Sequence, residues 1–403
     1  MNRRPRLVHV TASAITQWQF LRGQNSYMVR HGFDVHAIAS PSPLLDQLGK
    51  RDGVTTHPLR ISRQISPIRD LGSLIALWRL LRALEPDIVH VSTSKGALLG
   101  AVAARLAGVP IRIYQIRGLA SEDARGPQRR VFLALEWLTA RLCNAWLANA
   151  PSLLAYARKK GILRRRQGTV FLHGMANGID VAWFDPDGAE AAGPASLPWP
   201  AAVRDGRLVI GYVGRLTRDK GIEDLATAWF RLRETFPTSR LLLVGPWETQ
   251  DPVAHGTRAR LEADARVTIL PFQEDVRPAY RSMDVFVYPS HGGEGFPNAP
   301  MEAAAMRLPV IVTRVIGSVD AVVDGCTGAT VPPRDPTALC AEIAAYLQDA
   351  ERRTAHGRAG RVRVKRDFRS QALWACVRDE YLRLLVNHGL PIPDLQRDAS
   401  PTP

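Results

Sequence analysis

The stretch DVFVYPSHGGEGFPNAPMEAAAMRLPVIVTRV, Asp284–Val315, decides the fold. It opens with a short β-branched and aromatic run, DVFVYPS, and turns through the glycine-rich HGGEGFP. NAPMEAAAMR then has helical spacing, and PVIVTRV is a second β-branched run. Strand, turn, helix and strand in this order form a parallel βαβ unit. The expected helix cap is Asn298, which puts Glu302 just after the first turn and leaves Glu294 in the loop before it. The free amides from Asn298 to Met301 would make an anion site suited to a diphosphate.

A carboxylate beside such a site repels the anion. It becomes useful when it accepts hydrogen bonds from neighbouring hydroxyls, and a nucleotide sugar offers both a ribose diol and sugar hydroxyls. GYVGRLTRDKGIEDLATAWF, Gly211–Phe230, is a second strand, turn and helix, with Arg215 and Lys220 bracketing the turn. Two fixed cations can stabilise the negative charge that develops on a departing phosphate without a metal.

The same alternation runs along the whole chain. In the second half it continues through RLLLVGP, RVTILPF and GATVPP, and Asp335-Pro336 opens a helix as cap and first helical residue. In the first half the strands read as RLVHVTA, DVHAIAS, DIVHVST, IRIYQIRG and AWLANA, separated by helical patterns such as SPIRDLGSLIALWRLLRAL and GALLGAVAARLAG. WFDPDGAEAAGPASLPWPAAVRDGR, rich in Pro, Gly and Ala, reads as a linker.

The expectation is an α/β chain of two doubly wound, Rossmann-like domains, residues 1–182 and 208–365, joined by the linker 183–207. An amphipathic helix over 366–390 is expected to pack back on the first domain, and 391–403 reads as a disordered tail. Two such domains place a cleft between them, with the carboxyl ends of both sheets facing it.

The formal charge of +15 is lopsided. Residues 1–180 hold 26 Lys and Arg against 10 Asp and Glu, a net of +16, and the remainder is nearly neutral. An anionic partner for the first half follows: a nucleic acid, an acidic membrane surface or a phosphorylated ligand. Cys143, Cys326, Cys340 and Cys376 lie far apart without metal-site spacing, so reduced, cytoplasmic thiols fit and no metal or other cofactor is expected. The N-terminus reads as a first strand and not as a signal peptide. The longest apolar window, ALLGAVAARLAGVPI, is broken by Arg105, so membrane contact would be peripheral.

VGRLTRDKGI, LLLVGP, the pair Glu294 and Glu302 in EGFPNAPME, AMRLPVIVT, DGCTG and the NGID at Asn177–Asp180 together resemble glycosyltransferase family 4, retaining enzymes of the GT-B fold. The resemblance implies a nucleoside-diphosphate sugar held mainly by the second domain. It assigns Arg215 and Lys220 to the diphosphate, Glu302 to the ribose and Glu294 to the transferred sugar. Backbone amides of Gly295, Phe296, Pro297, Asn298 and Ala299 (Pro297 lacking an N–H) would line the sugar and diphosphate, with Gly245 and Phe272 near the base.

FLRGQNSYMVRHGFDVHAIASP, RQISPIRDLGSL and HVSTSKGALLGAVAARLAGVPIRIYQIRGL are similar to bacterial transferases that extend lipid-diphosphate-linked saccharides, N-acetylgalactosamine transferases among them. That likeness implies a UDP-sugar donor, a lipid-diphosphate-linked saccharide acceptor and a place on the inner face of the cytoplasmic membrane. The chain departs from the family in two places. TASAITQWQFLRGQ lacks the usual glycine pair of the first turn, and Arg117 stands where many members have a histidine. Arg117 is read as a catalytic candidate, and Ser94 and Lys95 as acceptor-side candidates.

Simpler readings compete at several positions. Lys95 also reads as a surface lysine and Arg117 as half of a structural salt bridge. The helix Arg125–Leu142 reads first as a cover for the core, with Arg129, Arg130 and Arg164 to Arg166 open to lipid headgroups. Asp185-Pro-Asp187 is read as a chance likeness to a metal motif, and His9, His173 and His291 as strand-end or loop histidines. A soluble acceptor and a nucleotide-sugar epimerase are the alternative functions. Nucleic-acid binding is not expected, because aromatic residues do not interleave with the basic clusters.

Overall fold

The computed structural model describes residues 3–62, 66–188 and 207–393. Most of the segment read as a linker, 189–206, and the tail from 394 lie outside these residues. The chain divides into two units, Met1–Gly178 with Ser370–Pro403, and Ile179–Arg369.

The first unit holds six parallel strands, β1 (Arg6–Ser13), β2 (Asp34–Ser40), β3 (Thr55–Pro58), β4 (Ile88–Ser92), β5 (Ile111–Ile116) and β6 (Ala145–Ala148), in the order β3-β2-β1-β4-β5-β6. Its central strands are buried on both faces, which is why they read as nearly continuous apolar runs. The strand that the apolar pattern missed is β3: TTHP is polar, half-exposed and ends in Pro58, and an edge strand tolerates all three.

The C-terminal helix Ser370–Asn387 belongs to this unit. Val377, Tyr381, Leu384 and Leu385 join the core with Leu7, Met28, Phe33 and Ile113. Tyr381 packs edge-on against Phe33 at 5.9 Å, and its hydroxyl meets His90 Nδ1 at 2.6 Å. Trp374 donates from Nε1 to Asn177 Oδ1 at 2.8 Å and covers Gly23, where a Cβ would lie 2.5 Å from the indole ring.

The second unit repeats the plan with β7 (Val209–Val213), β8 (Arg240–Val244), β9 (Val267–Leu270), β10 (Val285–Tyr288), β11 (Val310–Thr313) and β12 (Gly328–Val331), ordered β12-β11-β10-β7-β8-β9. All strand pairs are parallel. Strand order reverses between β10 and β7, so the turns that follow these two strands open side by side at the carboxyl edge. Asp335 caps the helix Pro336–Gln348 by accepting from the Thr337 and Ala338 amides.

Trp183 to Gly188, the first residues of the expected linker, pack on this unit. The Arg277 guanidinium lies 3.4 Å from the Trp183 ring centre, and Arg361 bonds the Phe184 carbonyl and Asp185. Asp185 and Asp187 thus hold Arg361 and Arg307.

Tyr381→Phe removes the partner of buried His90 Nδ1 and is expected to destabilise the first unit by about 1–3 kcal/mol. Tyr381→Ala, which also empties an aromatic site, should cost about 3–5 kcal/mol. Urea unfolding followed through the first unit's transition checks both.

Candidate active site

The turn after β7 and the turn after β10 touch through glycine. Gly221 has φ 72°, and a Cβ there would lie 1.9 Å from the Pro289 carbonyl oxygen. On the far side of the second turn, a Cβ on Gly317 would lie 2.7 Å from the Glu294 carbonyl oxygen. Side chains at these positions would push the turns apart.

This contact joins two of the predicted site residues. Lys220 Nζ sits 2.7 Å from Glu294 Oε1, with the two side chains 11% and 8% exposed. Burial opposes the Lys220 charge, but Glu294, with Asp219 behind it, outweighs burial and holds the ammonium above its ordinary pKa. Tyr288 donates to the same Glu294 oxygen at 3.0 Å, and Tyr212 stacks on Tyr288 at 5.9 Å. The Tyr212 hydroxyl donates to the Arg215 carbonyl at 2.8 Å, which fixes the backbone that carries the second cation. Arg215 itself is half-exposed and held loosely, 3.5 Å from both Asp219 and Glu248. Its guanidinium is open to an incoming anion.

Asp219 takes a hydrogen bond from Thr217 Oγ1. Burial raises the Asp219 pKa, and the hydroxyl, Lys220 and Arg215 together bring it below the usual carboxylate value. The His291 amide donates to the Asp219 carbonyl at 2.8 Å and its ring meets Asp224 at 2.7 Å, so this loop histidine ties the two turns together.

The helix after β10 spans Asn298–Ala305, and its cap is Pro297, not Asn298. Asn298 is the first helical residue, and its Oδ1 is buried without a partner. Proline supplies the extended backbone that an N-cap requires (φ −73°, ψ 133°) but no side-chain acceptor, so no side chain caps the first-turn amides. Glu302 accepts from the Tyr280 hydroxyl at 2.8 Å, and no cation pairs with it among the described residues. Burial raises the Glu302 pKa against the opposing effect of that hydrogen bond. Phe296 is buried against Phe368, which leaves its backbone as the part available to a ligand.

Gly245 follows β8 with φ 142° and packs so closely on Gly214 that a Cβ would lie 1.9 Å from that carbonyl oxygen. Phe272, after β9, is 64% exposed. The carboxyl edge of the second sheet therefore carries Arg215, Lys220, Gly245, Phe272, Glu294 to Ala299 and Glu302 on four successive turns. Sequence reading missed Tyr212, Tyr280 and Tyr288, whose hydroxyls orient this edge. Tyr212 and Tyr288 occupy strand positions that read as core, and only their closeness to the two motifs hinted at more.

Arg117, Ser94 and Lys95 lie in the first unit, after β5 and β4. Ser94 is the first residue of the helix Ser94–Leu106, entered through Thr93 at φ 68°. Lys95 is ion-paired to Asp70 at 2.5 Å, so its charge is compensated within the protein. Arg117 has no salt bridge among the described residues; its guanidinium lies 5.5 Å from the Phe20 ring centre. His90, bonded to Tyr381 and Gln115, stands 5.1 Å from His9. Burial, reinforced by Arg117, lowers the His9 pKa to about 3, and burial with His9 and Arg117 drives His90 well below its ordinary value.

Residues 17–174 match the family described as Glycosyl transferase 4-like domain, and residues 207–349 match Glycosyl transferases group 1. The chain is 32% identical over 354 residues to the capsular polysaccharide biosynthesis glycosyltransferase CapM of Staphylococcus aureus, covering 88% of this chain and 91% of that protein. The chain belongs to glycosyltransferase family 4.

This glycosyltransferase is also 30% identical to the Escherichia coli UDP-Gal:alpha-D-GlcNAc-diphosphoundecaprenol alpha-1,3-galactosyltransferase, over 71% of its own length and 73% of the relative's. Anabaena HepE, solved with UDP-glucose, superposes with a TM-score of 0.77 at 18% identity, covering 94% of this chain and 99% of that one. That superposition shows the fold, GT-B.

Lys220→Met strands the buried Glu294 carboxylate and should cost about 3–5 kcal/mol, most of it recovered when Glu294→Gln is added. Denaturant unfolding of the four-member cycle checks this. In the first unit, His9 stays neutral in the fold while its unfolded form protonates near pH 6.5, so stability is full above that value and falls as pH drops toward 3. The loss from this one group between pH 7 and 5 is about 2 kcal/mol, and His9→Gln should flatten the pH profile by that amount.

Proposed function

We infer that this glycosyltransferase is a retaining, metal-independent enzyme that moves a sugar from a UDP-sugar to a lipid-diphosphate-linked saccharide. The observation that carries the reading is the joined pair of turns at the β7/β10 reversal, where Lys220, Arg215, Glu294 and a helix start without a side-chain cap share one edge. Arg215, Lys220 and the first-turn amides suit a diphosphate. Glu302, paired with no cation among the described residues, suits the ribose diol, and Glu294, fixed by Tyr288 and Lys220, suits the sugar hydroxyls.

In the proposed reaction the bond between the anomeric carbon and the β-phosphate oxygen breaks as the acceptor hydroxyl bonds to that carbon on the same face. The hydroxyl proton passes to the departing phosphate oxygen. Lys220 and Arg215 stabilise the charge left on UDP. No His, Cys, Asp or Glu cluster with metal-ligand spacing occurs among the described residues.

The acceptor assignment draws on the E. coli relative, whose name specifies a diphosphoundecaprenol-linked sugar. Its place in cell-surface polysaccharide assembly draws on the capsular relative. N-acetylgalactosamine is the proposed sugar, and UDP-galactose, the donor in the E. coli relative's name, is the second candidate.

Peripheral contact with an anionic membrane at the inner face of the cytoplasmic membrane is part of the proposal. Among the described residues no helix is long and apolar enough to cross a bilayer. The helix Gly126–Leu142 exposes Arg130, Val131, Ala134, Trp137 and Leu138 in one stripe, with Arg141 over the Trp137 ring at 5.3 Å. Its one acid, Glu136, turns inward to accept from the Ser121 amide. A basic, aromatic, acid-free stripe suits an anionic lipid surface.

The test is incubation with a panel of UDP-sugars, a lipid-diphosphate-linked monosaccharide in detergent and excess chelator, with glycolipid and released UDP as readouts. One donor should give product that retains the anomeric configuration. Lys220→Ala should lower kcat by about 10²–10³. Loss of activity on chelation, turnover only with a soluble acceptor, or epimerised donor would each refute the corresponding part.

A further inference from the structure

Arg117 is a partly buried cation with no counter-ion among the described residues. Its Nε and Nη1 atoms are shielded from solvent and have no hydrogen-bond partner, and no carboxylate pairs with the guanidinium among the described residues. Burial lowers its pKa only to about 10, so the group stays charged at neutral pH. Its neighbours His9 and His90 are held neutral and do not offset it. A charge whose nitrogens are shielded from solvent without partners is unfavourable unless something completes it. Departures of this kind from the rules of stable packing concentrate at functional sites.

Polar side chains and a narrow cavity adjoin the guanidinium. The cavity is lined by Gln24, His90, Gln115, Leu21 and Met175. Gln24 Oε1 and His9 Nε2 are also buried without partners. The polar side chains are fixed from behind: His90 is held by Tyr381, and Gln115 donates to Asn149 at 2.6 Å. The site lies just past the end of β5, at the carboxyl edge where ligands of doubly wound sheets bind.

We propose that Arg117 binds an oxyanion in the first unit, taking a phosphate oxygen of the acceptor at the mouth of this cavity. The source of the phosphate rests on the proposed lipid-diphosphate acceptor; the anion site itself rests on the two guanidinium nitrogens without a partner among the described residues and on the cavity. Arginine suits the task because its charge survives burial and its planar donors match phosphate oxygens. Arg117 is thus an acceptor-binding residue of the first unit.

The experiment is calorimetric titration of inorganic pyrophosphate into the full chain held in saturating UDP, so that the diphosphate site of the second unit is filled. Wild type should bind, Arg117→Met should bind at least tenfold more weakly, and Arg117→Lys should fall between them. Without ligand, Arg117→Met should melt at the same temperature as wild type or higher, since it removes an uncompensated charge. Equal binding by wild type and Arg117→Met, no binding by wild type, or a large fall in melting temperature with binding retained in Arg117→Lys and Arg117→Met alike would overturn the proposal.

Turnover assays separate the source of the phosphate from the site. Pyrophosphate that competes with the lipid acceptor, with acceptor KM raised and donor KM unchanged in Arg117→Lys, supports the acceptor's phosphate. Arg117-dependent binding that does not compete with the acceptor upholds the anion site and overturns that source, leaving a free phosphate as the ligand. The titration stands even where no sugar transfer is detected, so it fails or succeeds independently of the proposed reaction.

Discussion

The ion pair between Lys220 and Glu294 spans the point where the second sheet reverses its strand order, and the rest of the site is arranged around it. Each charge is nearly buried, and each would be costly alone. Their pairing fixes the turn after β7 against the turn after β10 and sets the positions of Arg215, Asp219 and the start of the helix Asn298–Ala305. Glycine makes that closeness available: Gly221 stands where any side chain would strike the Pro289 carbonyl, and Gly317, after β11, lets a third turn approach the Glu294 backbone. A layer of tyrosines then fixes the polar groups, with Tyr288 on Glu294, Tyr212 beneath Arg215 and Tyr280 on Glu302.

The two units solve different electrostatic problems with one topology. In the second, cations and carboxylates are interleaved, so most charges at the edge are matched and the site is ordered by its own pairs. In the first, Lys95 is neutralised by Asp70 while Arg117 has no ion-pair partner among the described residues. The positive excess of the first half is thus unevenly compensated, and the chemistry of an anion fits the place where compensation is missing.

The fold class was legible because buried parallel strands must be apolar on both faces. DVFVYPS, PVIVTRV and RLVHVTA announce themselves, whereas β3, at an edge, carries no such signal. The family assignment was legible in GYVGRLTRDKGI and EGFPNAPME, since turns that touch need fixed residue types. Pairings across long separations were not legible. Asp70 with Lys95 and Lys220 with Glu294 depend on which helices and turns become neighbours, which strand order decides. The Asn298 cap was misplaced by one residue because proline satisfies the backbone geometry of the cap while asparagine satisfies only the side-chain preference. Arg117 was visible as a basic residue after a strand, but the lack of a carboxylate beside it among the described residues is a property of the folded unit alone.

The central claim is that the joined turns after β7 and β10 bind the donor's diphosphate. The direct measurement is an experimental structure of the enzyme with UDP bound. The account predicts the β-phosphate within hydrogen-bond reach of Arg215, Lys220 or the first amides of the helix Asn298–Ala305, with the ribose diol on Glu302. UDP bound elsewhere in the chain, or at this edge with its phosphates directed away from those groups, would contradict it.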